Sequence, residues 1–266
     1  MENFPDYIKI NKQTWNNKTD VHIASDFYDV DSFIKGRSTL NEIELKLLGD
    51  VKGKKILHLQ CHFGQDTLSF SRLGANATGV DLSDKAIAKA KEFAEKLELD
   101  ATFICCDIYD LPNHLDEKFD VVFTSYGAIG WLPDLDKWAK VVSQFLKTNG
   151  KFVFAEFHPI VWMFDNDFKE VFYSYFNIET IVEDESGTYA DRYSEISAQT
   201  ITWNHPTSEV LNALIQSGLE INSFDEYDYS PYNCFNETEE FEAGKFRIKH
   251  LKNKIPMVFS LVATKK

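Results

Sequence analysis

Between Lys54 and Phe157 the chain alternates between two kinds of segment, and this alternation constrains its fold more than any other feature. Short runs rich in β-branched and aromatic residues, KKILHLQC, NATGVDLS, ATFICCDIYD, FDVVFTSY and GKFVFAEF, read as buried strands. Helical patterns separate them: DTLSFSRLG running to Gly74, DKAIAKAKEFAEKLEL after the capping residue Ser83, and LDKWAKVVSQFLKTNG ending at the stop signal Asn149 and Gly150. Strand, helix, strand with short connections requires right-handed crossovers. The pattern therefore predicts a doubly wound α/β domain, its parallel sheet covered by helices on both faces.

The flanks read differently. Residues 1–50 look like helices and loops broken at Gly36, a lid lying before the α/β core of residues 51–159. Pro159 marks a change of composition. In the insert of residues 160–206, TIVEDESGTYADRYSEISAQTITWN alternates well enough for two or three antiparallel strands joined at Ser186 and Gly187. Residues 207–266 then offer the helix PTSEVLNALIQSGL, capped by Thr207 or Ser208, the strand EINSFDEYDY and a closing strand, IPMVFSLVATK.

Charge is distributed as unevenly as pattern. The 266 residues carry a net charge of −14, with 28 Lys and Arg against 42 Asp and Glu. From Ile160 to Lys245 there are 18 acidic residues against Lys169, Arg192 and Lys245, so nearly all the imbalance belongs to one stretch, which is also rich in aromatics. Non-specific nucleic-acid affinity comes from Lys and Arg displacing counterions, so this balance argues against a nucleic-acid partner. An aromatic content of 14% excludes a disordered acidic chain. No apolar run approaches the roughly 18 residues needed to span a bilayer, and the opening MENFPDYIKI carries charges where a signal peptide needs an apolar stretch. A cytoplasmic protein, monomeric or homodimeric, with no membrane partner is expected. Cys61, Cys105, Cys106 and Cys234 form no C-x-x-C pair and read as reduced thiols, with no metal site.

In an open α/β sheet, ligands bind outside the carboxyl ends of the strands. The first strand runs into Gln60, Cys61, His62, Phe63, Gly64, Gln65 and Asp66, a turn that presents backbone N–H groups. The second ends at Asp81, followed by Leu82, where an acid can accept both hydroxyls of a ribose. The third ends in Cys106, Asp107 and Ile108, placed to meet an exocyclic amine, and the fourth in Ser125, Tyr126 and Gly127.

With Asp81 in GVDLS, Asp107 in CCDIYDLP and a tail of helix, strand and closing strand, the chain resembles the class I S-adenosylmethionine-dependent methyltransferases from about Lys54 to Lys266. The resemblance implies a mostly parallel seven-stranded Rossmann-like sheet with a reversed C-terminal hairpin, which an NAD-binding domain lacks. It also implies S-adenosylmethionine as cofactor and S-adenosylhomocysteine as product. Asp81 would hold the ribose, Asp107 the adenine, and the LHLQCHFG loop the methionine part. That loop departs from the family's acid and G-x-G-x-G: His58 stands at the acid, Gln60 and His62 at the first two glycines, and only Gly64 survives. This variant, with Trp15, Asn16, His22 and Asp26 to Val30, is similar to a subgroup of bacterial methyltransferases.

The expected cofactor contacts are thus Trp15, Arg37, Gln60, Cys61, His62, Gly64, Asp81, Leu82, Asp107, Ile108 and Ser125. For Asp81 and Asp107 the alternative is a loop acid capping the next helix, and for Arg37, a candidate clamp for the cofactor carboxylate, a surface ion pair. His58 reads as a hydrogen-bonded core histidine. His158, after the fifth strand, and His22 are the catalytic candidates; His62 and His205 could also serve as a base. The acidic, aromatic insert suggests a cap over a small-molecule acceptor, cationic or aromatic in character. An RNA or protein methyltransferase, or an inactive cofactor-binding sensor or partner subunit, is the alternative. A DNA amino-methyltransferase is disfavoured, since TSYGAI replaces the Asp/Asn-Pro-Pro-Tyr motif.

Overall fold

The structure, a computed structural model, describes residues 6–176 and 179–266. Three helices precede the sheet: α1 (Tyr7–Ala24), α2 (Val30–Ile34) and α3 (Glu42–Leu48). The expected alternation follows as β1 (Lys55–Leu59), α4 (Gln65–Arg72), β2 (Asn76–Asp81), α5 (Asp84–Lys96), β3 (Ala101–Cys105), β4 (Phe119–Ser125), α6 (Leu135–Phe145) and β5 (Leu146–Phe157). After the insert strands β6 (Ile181–Ser186) and β7 (Ser197–Thr202) come α7 (Thr207–Gln216), β8 (Leu219–Tyr227), β9 (Thr238–Glu242), β10 (Lys245–Ile248) and β11 (Val258–Lys265). Residues 1–5 of the expected lid and 177–178 of the insert lie outside the described residues.

Seven strands form one sheet in the order β3-β2-β1-β4-β5-β11-β8. The first five are parallel; β11 runs antiparallel between β5 and β8. Alternation within each strand feeds both faces. Leu57, Val122, Phe152 and Phe154 pack with Trp138 of α6 and Val210 and Leu214 of α7, while Ile56, Val121, Phe123 and Val153 pack with Phe70 of α4 and Leu48 of α3. This is the doubly wound layer arrangement that the sequence pattern requires.

Two helix ends differ from expectation, and one hairpin is added. Helix α6 stops at Phe145, short of Asn149 and Gly150, because Leu146 turns extended and buries its side chain. Asn149 and Gly150 instead make a tight turn inside β5, where a Cβ on Gly150 would meet the Lys147 carbonyl at 2.8 Å. Helix α7 has no capping box: Pro206 is its N-cap, and the Tyr175 hydroxyl from the insert accepts from the Thr207 N–H at 3.1 Å. The β9–β10 hairpin was not anticipated, being short, charged and largely exposed.

The insert strands β6 and β7 pair antiparallel, joined by residues 187–196 rather than by a two-residue turn. Helix α1 docks on the open edge of β7. The Asn11 side chain donates to the Ile201 carbonyl (2.7 Å) and accepts from its N–H (3.0 Å), acting as a further strand residue. On its other side Asn16 accepts from Ser83 Oγ (2.6 Å) at the start of α5. Helix α1 thereby spans from core to insert. Among the described residues no helix is long and apolar enough to cross a membrane.

Candidate active site

A cleft of about 1120 Å³ opens at the carboxyl ends of β1, β2, β4 and β5, roofed by α1 and the insert. Its floor is the loop from β1 to α4. Gln60, His62 and Gly64 all have positive φ, at 59°, 51° and 79°. The backbone of an alternating-glycine loop is therefore kept while two of its positions carry side chains. A left-handed non-glycine residue costs on the order of 1–3 kcal/mol, tolerated where the surroundings over-determine it. Here they do. Gln60 Nε2 donates to the Ala128 carbonyl (2.7 Å), and the His62 N–H donates to Asp81 Oδ2 (2.8 Å). At Gly64 no substitution fits, since a Cβ would stand 2.7 Å from the Phe103 ring and 2.9 Å from Ala90.

Asp81 closes β2 at the cleft wall, with Oδ1 accepting from the Ser83 N–H at 2.8 Å. Burial pushes its carboxyl up to about 6 against three backbone N–H groups that hold it down. Asp107 accepts from the Tyr109 N–H (2.9 Å), so it caps the following turn and also borders the cleft; burial again raises it. Asp107 thus caps the following turn and borders the cleft at once, whereas Asp81 borders the cleft while Ser83 is the N-cap of α5. Leu82, Ile108, Ser125, Cys61, Trp15 and Arg37 line the same cavity. Arg37 Nη2 is occupied by the Tyr28 carbonyl (3.0 Å), and Nε lies 3.5 Å from Asp29.

The five candidate histidines separate into four environments. His58 is buried in β1, hydrogen bonded through Nδ1 to Thr67 Oγ1 (2.9 Å), and burial pushes it down to about 3. It is a core histidine. His158 was expected to face substrate, but the structure turns it away from the cleft: Nδ1 accepts from the Ile160 N–H (3.2 Å) and Nε2 lies 3.0 Å from Glu226 on β8. The strand-end position was right, yet the ring packs toward Phe259 and the sheet edge. His205 borders the cleft with Nε2 on the Leu132 carbonyl (2.8 Å) and Nδ1 on Glu209 (3.1 Å), so neither nitrogen is free. His22 and His62 form a pair, Nδ1 to Nε2 at 2.9 Å, with His62 lining the cleft and His22 behind it.

Several cleft residues escaped the sequence reading. Glu156, buried in β5, receives the N–H groups of Gly127, Ala128 (2.7 Å), Ile129 (3.1 Å) and Phe157 (2.7 Å), fixing the loop after β4. A buried acid inside FAEF was the available signal. Lys18 of α1 is buried between the rings of Trp15 and Trp131 and pairs with Glu185 of β6 at 2.7 Å. Outside the cleft lining, on α3, Glu44 has no ion pair among the described residues. Glu44 is fully buried with Oε2 lacking any partner, and burial, then Asp66, pushes it up to about 7. Asn41 Nδ2 donates both to Glu44 Oε1 (3.2 Å) and to the Tyr232 hydroxyl (2.7 Å).

The insert acids do not form the open cationic box that the sequence suggested. Glu185 is held by Lys18, and Glu183 accepts from the Tyr173 hydroxyl at 2.9 Å. Aromatic rings do reach the cavity, with Phe157 in edge contact with both Trp162 and Phe235.

A family model described as a methyltransferase domain matches residues 56–150, the stretch from β1 through the turn before the buried part of β5. This segment is a methyltransferase domain. A ubiquinone biosynthesis O-methyltransferase of Coxiella burnetii is 29% identical over 136 residues, covering 50% of this chain and 57% of that protein. The chain thus spans a little over half the length of the curated relatives it matches. An S-adenosylmethionine-dependent methyltransferase of Clostridium acetobutylicum superposes with a TM-score of 0.59 at 17% identity, over 96% of this chain and 98% of that one. The magnesium protoporphyrin IX methyltransferase of Synechocystis, whose structure has bound SAH, gives 0.55 at 13% identity over 98% and 100%. The methyltransferase domain and the reversed β11 together give the class I fold.

Proposed function

We propose that this chain transfers a methyl group from S-adenosylmethionine to a small organic acceptor. The observation that carries the reading is the left-handed loop at Gln60, His62 and Gly64 meeting Asp81 and Asp107 around one cleft. The residues suit the cofactor. Asp81 and Asp107 supply acceptors for ribose and adenine, Leu82 and Ile108 apolar walls, and Arg37 a cation for a carboxylate. Gln60 Oε1, buried without a partner, is an acceptor still to be satisfied. The reversed strand β11 favours this over a nicotinamide cofactor.

When bound, the cofactor supplies an electrophilic methyl carbon on a sulfonium. The chain's task is then to hold the acceptor atom about 3 Å from that carbon, in line with the bond that breaks, and to exclude water. Helix α1 and the insert supply the roof, with Trp15 and Trp131 in edge contact above His62. The rings of Tyr126, Phe157, Trp162 and Tyr232 favour an aromatic acceptor. The likeness to an O-methyltransferase supports oxygen as the methylated atom.

Titration calorimetry with S-adenosylmethionine, S-adenosylhomocysteine and NAD tests the cofactor. The first two should bind and the third should not; binding of NAD alone sinks the reading. Asp81→Ala should weaken cofactor binding by about 100-fold, through two lost hydrogen bonds to a charged acceptor. Unchanged affinity would remove Asp81 from the site.

A further inference from the structure

Among the described residues three Lys and Arg residues line the cleft, and two of them are already engaged. Lys18 is held by Glu185, and Arg37 lies beside Asp29, where a cofactor carboxylate would be met. The third, Arg192, sits in the insert between β6 and β7. Its Nη2 donates to the Phe235 carbonyl at 2.7 Å, and among the described residues its guanidinium has neither a carboxylate partner nor another acceptor. Arg192 is exposed as well as cleft-lining, so its remaining N–H groups are open to a ligand. The neighbouring insert acids are taken, Glu185 by Lys18 and Glu183 by Tyr173, and neither neutralises it.

The loop that carries Arg192 is held by its own hydrogen bonds. Thr188 Oγ1 accepts from the N–H groups of Ala190 (3.1 Å) and Asp191 (3.0 Å), and the Thr188 N–H donates to the Asp191 carbonyl at 2.9 Å. Asp191 Oδ1 then accepts from the Tyr193 N–H at 3.0 Å. Gly187, at a φ of 73°, lets the chain pass so close that a Cβ there would stand 2.6 Å from the Arg192 carbonyl. Backbone contacts thus fix position 192 on both sides, and the bond to Phe235 fixes the guanidinium. An arginine held this way has little freedom left to lose on binding an anion.

Phe235 joins this charge to the aromatic part of the cleft. Its carbonyl holds Arg192, while its ring meets that of Phe157, at the end of β5, with 5.1 Å between centroids. Trp162 touches the same Phe157 ring at 5.7 Å. A single residue therefore links an uncompensated cation to a wall of rings. Resting on the proposed methyl transfer to an aromatic acceptor, we infer that Arg192 is a specificity residue that binds a carboxylate of the acceptor, which makes the acceptor an aromatic hydroxy acid. The acceptor ring lies against Phe157 and Trp162, its carboxylate accepts from the Arg192 guanidinium, and its hydroxyl is turned to the cofactor.

Titration calorimetry on the full chain loaded with S-adenosylhomocysteine tests this, with protocatechuate, its methyl ester and dihydroxybenzylamine as probes. They present one kind of ring with an anion, a neutral group and a cation. The acid should bind about tenfold more tightly than the ester or the amine, the worth of one charge-assisted contact in a partly screened place, and the preference should shrink at high salt. Arg192→Gln keeps an N–H for the Phe235 carbonyl and loses the charge; it should bring acid and ester level and leave the ester's affinity unchanged. Arg192→Lys should restore part of the preference. A wild-type chain that favours the ester or the amine, or binds none of the three, overturns the inference, as does an acid preference that survives Arg192→Gln. Equal losses on acid and ester would leave Arg192 only its structural tie to Phe235 and overturn it too. If S-adenosylhomocysteine does not bind, the methyl-transfer reading fails, and the acid-to-ester ratio on the unloaded chain still decides Arg192.

Discussion

The insert and the part of the chain that precedes it hold their acids in opposite ways. The insert belongs to the stretch that holds nearly all of the net charge, yet its cleft-side acids are engaged, Glu185 by Lys18 and Glu183 by Tyr173. Outside that stretch the chain is close to neutral, with 25 Lys and Arg against 24 Asp and Glu, yet there Glu44, Asp66 and Asp81 have no ion pair among the described residues, and burial raises all three. Net charge therefore does not report where charge is uncompensated. A half-exposed carboxylate near a cation or hydroxyl costs little; a fully buried one with an unpartnered oxygen shifts its proton equilibrium instead.

Substitutions should separate the two regions by the size of their effects. The largest belongs to the loop that floors the cleft. Gly64→Ala sets a Cβ against Phe103 and Ala90 at a left-handed φ of 79° and should cost about 3–4 kcal/mol in urea denaturation. A loss under about 1 kcal/mol would mean that the packing at the start of α4 yields. Next comes Glu44. Its folded-state value of about 7 lies above the ordinary 4.5, so the native chain keeps a proton that the unfolded chain has lost between those values. Stability attributable to Glu44 is therefore greatest in acid and declines as pH rises through that window. Glu44→Gln should gain on the wild type by up to about 3 kcal/mol between about pH 4.5 and pH 8. Parallel stability-versus-pH curves for the two proteins would contradict an uncompensated carboxyl.

On the insert side, Lys18→Met should cost about 2 kcal/mol by removing a buried charge-assisted hydrogen bond and two ring contacts. Because α1 then loses its tie to β6, amide exchange should quicken in β7 and stay unchanged in β4; uniform quickening would count against a local tie. The smallest effect is expected at Glu183→Gln, within about 0.5 kcal/mol by thermal melting, since its partner and its surroundings are exposed.

Legibility followed the same division. Periodicity placed β1 to β5 and α4 to α6 because these elements bury apolar side chains on a repeating face. It missed the docking of α1, whose buried residues are Asn11, Thr14, Lys18, Thr19 and His22, a polar face that no hydrophobic pattern marks. Asp81 and Asp107 could be found because the end of a strand is a place in the sequence as well as in space. The direction in which His158 turns could not, since the choice between cleft and sheet edge was made by Glu226 and Phe259, far along the chain.

The sequence by itself determined the layered α/β fold, the acids at the strand ends and the glycine at position 64, all products of local pattern and backbone sterics. Tertiary structure alone decided which histidines meet, which carboxylates are paired and which polar atoms stay unpartnered. Those outcomes depend on distances between segments remote in sequence, as when His22 and His62 come within 2.9 Å across forty residues of chain.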